Sequence, residues 1–347
     1  MSESAQLTQF SRGSGCGCKI APAVLQQMLS SVRTTRHFPS LLVGNESSDD
    51  AAVIELPGGG CLISTVDFFT PVVDDARTFG KIAATNALSD VYAMGGTPVA
   101  AIAVLGWPVD KLPPALAGEV LLGAREVCDS IGIPLAGGHS IEAPEPFFGL
   151  SVNGVVQKEH IRRNTGVKQG DLLFLTKPIG SGLISAARKR GIATSEMSED
   201  AERWMCTLNT PGAVFGTLRG VHAMTDITGF GLLGHLREML GDGNCSAELF
   251  TRKIPVMKGA EQLIAQMVYP DMTMKTYTAL APLTSPLDVH KLLLGCDPQT
   301  SGGLLVAVDP AFADEFRASA RALNLPVFVI EPIGRIIAPT NHLISMV

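Results

Sequence analysis

The chemistry available to this chain begins with Cys16-Gly17-Cys18-Lys19, in the run GSGCGCK, where glycine alternates with Ser14, Cys16 and Cys18. An ammonium beside a thiol favours the thiolate and raises its nucleophilicity at neutral pH. The same residues also fit an exposed terminus without a task, or half of a metal site. For the metal site, C-x-C lacks the second pair and nearby histidine that structural zinc takes. A second set is acidic. Asp49-Asp50 opens a predicted strand, Asp67 sits within STVDFFT, Asp90 is the sole charge between Ile82 and Met94, and Asp226 ends VHAMTD. Asn86 lies four residues before Asp90 and shares its helix face. A carboxylate buried in such surroundings is costly unless a cation or hydrogen bonds compensate it. Any one of these aspartates could cap a helix or close a turn. Four of them in apolar surroundings point to a hard cation, since carboxylates with water and phosphate oxygens form the Mg²⁺ donor set.

Weaker signals surround these two sets. Gly137-Gly138-His139-Ser140 follows a predicted strand, where backbone N–H groups and a hydroxyl can cradle phosphate or simply make a turn. Gly229-Phe230-Gly231-Leu232-Leu233-Gly234 matches G-x-G-x-x-G but comes late and after a loop, so it reads as a helix start packed closely on a sheet. The chain contains no P-loop and no kinase H-R-D or D-F-G set, so ATP handling of either of those kinds is excluded. The 7 histidines make no H-E-x-x-H or other paired motif; His222 and His235 read as surface or satisfied core residues. Cys61 and Cys128 fall on apolar stripes and read as core.

These residues must be positioned by alternating elements. Residues 1–20 carry no hydrophobic period and enough glycine to predict a mobile loop, followed by a short helix over 22–29. AAVIEL and CLISTVDFF read as strands about a PGGG turn, then a helix over 77–94 capped by Thr78, the strand PVAAIAVLGW and a helix over 116–131. PLAGGHS reads as a strand ending in its glycines, and GLSVNGVVQ as another strand. A second block begins near Gly170 with DLLFLTKPIG. It continues through helices over 184–190 and 198–208, then VHAMTD with its following helix, LLVAV and a helix over 311–323. The pattern predicts an α/β (α+β) chain with a catalytic loop over 1–20, an N-terminal domain over 21–160 and a C-terminal domain over 161–347. The boundary falls in the polar run KEHIRRNTGVKQG.

Composition narrows the function. The chain has 347 residues, 27 basic and 33 acidic, with formal net charge −6, which disfavours a nucleic-acid binder. Apolar residues make up 46% and mean hydropathy is +0.26, against disorder. The longest apolar stretch, Val99 to Trp107, is roughly half of the ~20 residues a spanning helix needs. MSESAQLTQF has no basic segment leading an apolar one, and 7 scattered cysteines make no disulfide scaffold. The expectation is a cytoplasmic protein with no membrane attachment.

The runs GSGCGCKI, NESSDDAAV, STVDFF, ATNALSDVYAMGG, AVLGWP, LAGGHSIEAPEP, TKPIGSG, MTDITGFGLLGHL and CDPQTSGG resemble the selenophosphate synthetases (selenide, water dikinases) nearly end to end. That family shares its two-domain fold with aminoimidazole ribonucleotide synthetase and thiamine-monophosphate kinase, which lack the CGCK loop. The resemblance implies a homodimer cored by the N-terminal domains. It also implies conversion of ATP, selenide and water to selenophosphate, AMP and phosphate, with Mg²⁺ as cofactor and a selenium-delivery protein as partner. By the same resemblance Cys16 and Lys19 are catalytic, and position 16 is one where some members carry selenocysteine. Asp50, Asp90 and Asp226 correspond to metal ligands, with Lys19, Ser47, Ser48, Asp49, Asp67, Asp90, Gly138, His139 and Ser140 contacting the nucleotide. Residues 268–286 match the family least and contribute nothing to these assignments.

Two other functions compete: another ATP-dependent synthetase or small-molecule kinase of this fold, and a non-catalytic selenium or sulfur carrier that binds nucleotide as a regulator. The CGCK loop argues against the first, and selenide-dependent AMP formation separates both from the dikinase.

Overall fold

The computed structural model describes residues 6–11, 13, 15, 17, 24, 28, 38–44 and 49–347. The first sheet holds β1 (Leu41–Val43), β2 (Ala52–Glu55), β3 (Cys61–Phe69), β4 (Thr97–Trp107), β5 (Leu135–Glu142) and β6 (Phe147–Val156), in the order β1-β2-β3-β6-β4-β5. Neighbours are antiparallel except β4 and β5, which are parallel. Period-2 alternation assigns the faces of β3. Cys61, Ile63 and Phe69 are buried, while Val66 and Phe68 stand 55% and 48% exposed on the other face. Two helices, α1 (Ala76–Ala93) and α2 (Pro114–Ser130), cover the inner face. They meet backbone to backbone: a Cβ on Gly80 would lie 1.9 Å from the Val120 carbonyl oxygen, and one on Gly123 2.0 Å from that of Arg77.

The second sheet holds β7 (Leu172–Leu175), β8 (Val221–Asp226), β9 (Ser246–Leu249), β10 (Leu304–Val308), β11 (Gly334–Ile337) and β12 (Ile344–Met346), in the order β12-β9-β11-β7-β10-β8. Every residue of β10 is buried, as befits a central apolar strand. The helices of this half are α3 (Ser181–Lys189), α4 (Ser195–Met205), α5 (Pro211–Phe215), α6 (Gly231–Met239), α7 (Ala260–Ala265), α8 (Asp271–Leu280), α9 (Val289–Gly295) and α10 (Ala313–Ala322). On one side of the sheet Phe316 of α10 packs on Phe174 and Phe215, with ring centroids 4.6 and 4.7 Å apart. Among the described residues no helix is long and apolar enough to cross a membrane.

Several local expectations are corrected. The glycines of PLAGGHS do not end a strand: Gly138, His139 and Ser140 lie inside β5, paired with Ala103, Val104 and Leu105. The cap of α1 is Asp75, whose carboxylate accepts from the Thr78 N–H at 2.7 Å, because a residue outside the helix must satisfy its first free N–H groups. Helices α3 and α4 each start three residues earlier than the apolar stripe indicated. For α4 the reason is Thr194, whose hydroxyl accepts from the Met197 N–H. The N-terminal stretch is not loose throughout. Leu7–Phe10 forms a 3₁₀ turn in which Leu7 is fully buried, and Thr8 donates to Asp74 through both its N–H and its hydroxyl. The helix expected over 22–29 lies largely outside the described residues.

Candidate active site

The acidic residues converge where the two halves join. On β3 the inner face carries two polar residues, Thr65 and Asp67, between buried Ile63 and Phe69. Two strand residues span roughly 6.6 Å and four helix residues roughly 6 Å, so an i, i+2 pair on β3 matches an i, i+4 pair on α1. Asn86 donates to Asp67 Oδ2 at 2.5 Å, and Thr65 donates to Asp90 Oδ2 at 2.5 Å. Asp50, entering β2, is held from the second half of the chain. Its Oδ1 accepts from the Asn164 amide and the Thr225 hydroxyl, both at 3.1 Å. Asp49 accepts from the Asn164 N–H at 2.8 Å. Thr225 immediately precedes Asp226, which ends β8 and is 2% exposed.

These carboxylates lie close enough to act on one another's protonation. Burial, and then the Asp226 carboxylate, push Asp50 well above the ordinary carboxylate range; the Asn164 and Thr225 hydrogen bonds oppose the shift. Asp90 is raised by burial first, then by Asp226, Asp67 and Asp50 in turn. Lys177 is the buried cation nearby. Burial lowers its pKa to about 7 while Asp226 pulls the other way, and its ammonium donates to the Ser301 carbonyl at 2.9 Å. Negative charge is in excess here, and Asp50 Oδ2 is buried with no hydrogen-bond partner among the described residues. Hard oxygen donors, mutual repulsion and that open oxygen fit a divalent cation. Among the described residues no three His, Cys, Asp or Glu side chains close on one point by themselves. A cation that keeps waters and takes phosphate oxygens needs no such closed cage.

The remaining expected residues fall elsewhere. Cys16, Cys18, Lys19, Ser47 and Ser48 lie outside the described residues. Gly138, His139 and Ser140 are exposed on edge strand β5, separated from β3 by β6 and β4, so a single chain does not bring them to its own aspartates. Gly231 opens α6, as expected of the decoy glycine motif. His235 is buried, accepting from the Thr228 N–H at 3.0 Å, and His222 pairs with Asp171 at 2.9 Å; both serve structure. Cys61 and Cys128 are buried as anticipated. Asn164, Thr225 and Lys177 escaped sequence reasoning. Asn164 lies in the polar run at the domain boundary, Thr225 within the apolar strand β8 and Lys177 two residues past the end of β7, and none of the three carries a separate signal in the sequence.

Two mixed sheets with an acidic cluster at their join define the class. Residues 48–156 match the AIR synthase related protein, N-terminal domain, and residues 168–342 its C-terminal domain. A thiamine-monophosphate kinase structure from Stenotrophomonas maltophilia shares the fold at TM-score 0.63 and 20% identity, covering 95% of this chain and 96% of that one. A selenide, water dikinase of Pseudomonas putida is 50% identical over 347 residues, 100% of both chains. One of Pseudomonas aeruginosa is 51% identical over 338 residues, 97% of each. The chain belongs to the selenide, water dikinase family.

Proposed function

We propose that this chain makes selenophosphate, converting ATP, selenide and water to selenophosphate, AMP and phosphate. The observation that carries the reading is the meeting of Asp50, Asp67, Asp90 and Asp226 at the join of the two sheets, in a chain of this family. Phosphoryl transfer asks a protein for positioning and charge neutralisation rather than covalent chemistry. Asp50, Asp90 and Asp226 would hold Mg²⁺, which when bound supplies positive charge to the triphosphate. Thr65 and Asn86 orient Asp90 and Asp67. Ser47, Ser48, Asp49 and Asp67 contact the nucleotide. Lys19 brings a cation to the transferred group and favours the Cys16 thiolate, a soft carrier for selenium. A cavity of about 530 Å³ is lined by Gly13, Gly17 and Thr300, with Lys189, Arg190 and Lys275 set against Glu145 and Asp271. Its three cationic side chains outnumber the two carboxylates, a balance that suits an anionic selenium species.

The working unit in this reading is a cytoplasmic homodimer. Its N-terminal domain spans 21–160, its C-terminal domain 161–347 and its catalytic loop 1–20. Val66, Phe68, Ile102 and Ile141 stand 55%, 48%, 45% and 50% exposed on the sheet face opposite the helices. An apolar face of that kind favours association. Two chains joined there account for Gly138, His139 and Ser140, which would meet a nucleotide held by the other chain. A selenium-delivery protein completes the partners; nucleic acid and membrane have no part.

Phosphorus NMR tests the residue roles. Cys16→Ser keeps size and hydrogen bonding but loses the ionisable sulfur, so it should bind ATP and form no selenophosphate. Lys19→Ala should abolish AMP formation, and Cys18→Ser should be milder than either. Full selenophosphate output from Cys16→Ser would remove the carrier role from that residue.

A further inference from the structure

Ser301 lies between α9 and β10 with φ +52°, in the left-handed region that a side chain rarely adopts. It is 1% exposed, and its hydroxyl has no hydrogen-bond partner among the described residues. Neither its side chain nor local preference explains that backbone. Such a conformation persists only where surrounding contacts over-determine it. Here both backbone groups of Ser301 are held. Its carbonyl accepts from Lys177 Nζ at 2.9 Å, and its N–H donates to Asn86 Oδ1 at 2.9 Å. Asn86 in turn donates to Asp67 Oδ2 at 2.5 Å. A second tie lies one helical turn away, where the Asn209 amide donates to Ser89 Oγ at 2.8 Å and to the Gly302 carbonyl at 2.9 Å. The strained peptide thus links the second sheet to α1 and through it to β3.

An amide side chain has a donor end and an acceptor end, and its neighbours decide which way it points. With its oxygen committed to the Ser301 N–H, Asn86 must face Asp67 with its donor end. Without that N–H, the Asn86 oxygen could turn onto the carboxylate and repel it. We propose that Lys177 and Ser301 are positioning residues for nucleotide binding: by holding the Ser301 peptide they lock the Asn86 amide with its donor on Asp67. The proposal rests on the reading that Asp67 contacts the nucleotide.

Coupling between two sites is reciprocal, so nucleotide at Asp67 must tighten the Ser301 peptide. Hydrogen exchange on the full-length protein with and without ATP and Mg²⁺ reads this directly. In the unmodified chain, saturating nucleotide should slow exchange in the peptides covering both Asp67 and Ser301. Protection at Asp67 with none at Ser301 overturns the relay and leaves the nucleotide reading intact. ATP binding without protection at Asp67 overturns that reading, and the relay with it. Substitution provides a second arm. Lys177→Met should weaken ATP binding about tenfold, the size of one hydrogen bond in a chain ending on a charge. Asn86→Ala should cost at least as much, and the double variant should be no worse than Asn86→Ala alone. Losses that multiply would mean that Lys177 supports the fold independently, and the proposal fails. If Lys177→Met does not fold, the exchange measurement on the unmodified chain decides alone.

Discussion

Removing charge from Asp226 should stabilise the metal-free protein while disabling it. Asp226 is 2% exposed, and after burial it is the largest cause of the raised pKa values of both Asp50 and Asp90. Asp226→Asn keeps the shape and spares both neighbours that repulsion. Like charges sharing a buried site repel by on the order of 2 kcal/mol at an effective dielectric of ~20, which sets the gain. Unfolding entropy of ~2.1 cal/mol/K per residue makes this a rise of about 3 °C in Tm for a chain of this length. Nucleotide reverses the comparison. At 100 times its Kd, ATP with Mg²⁺ stabilises by about 2.7 kcal/mol, or ~4 °C, in the unmodified chain. A variant binding ~100-fold more weakly gains under ~1 °C, so the two melting curves should meet. The assay is thermal melting of both proteins in chelator and then with ATP and Mg²⁺. An Asp226→Asn protein that melts at or below the unmodified chain in chelator refutes the repulsion argument. One that gains as much from ATP and Mg²⁺ refutes the metal assignment.

Further outcomes follow from single residues. Asp297 is fully buried, and burial pushes its pKa up to about 8 against hydrogen bonds from Gln299 and the Gly182 and Leu183 backbone. The folded state therefore holds a proton that the unfolded chain releases near pH 4, and stability from this group falls as pH rises toward 8. Asp297→Asn removes that slope. Its stability relative to the unmodified chain should climb by up to about 1.4 kcal/mol per unit between pH 5 and 7 in denaturant titrations; a constant difference contradicts the assignment. Gly15 has φ +53°, its N–H donates to the Thr70 carbonyl at 3.1 Å, and a Cβ there would lie 2.1 Å from Thr300 Oγ1. Gly15→Ala should therefore cut AMP formation at least ~10-fold, a left-handed alanine alone costing ~1–2 kcal/mol. Thr300→Ala in the same chain should recover part of it. Unchanged turnover in the single variant would show that the segment before Cys16 tolerates displacement.

Period and charge made much of this architecture legible. The alternation of β3 put Thr65 and Asp67 on one face, and the four-residue spacing of Asn86 and Asp90 put that pair on another; the structure sets the two pairs against each other. Asp90 stood out as the sole charge between Ile82 and Met94, and the structure leaves it half-buried, accepting from Thr65. What stayed hidden depends on contacts distant in sequence. Asn164 holds Asp49 and Asp50 from 115 and 114 residues away, and Lys177 holds Ser301 from 124. Nothing local to KEHIRRNTG or LFLTKPIG records those meetings. Gly137 and Gly138 misled in the opposite sense. Glycine is a poor strand former, yet on the edge strand β5 Gly138 pairs with Ala103 of β4, while Gly137 falls at the register shift between Ala101 and Ala103.

Product analysis tests the central claim most directly. The full-length protein is incubated with ATP and Mg²⁺, with and without selenide under reducing conditions, and nucleotides and phosphorus species are resolved. The account predicts AMP, phosphate and selenophosphate in equal amounts when selenide is present, and no selenophosphate when it is absent. ADP as the final nucleotide, or AMP formed equally well without selenide, would contradict it.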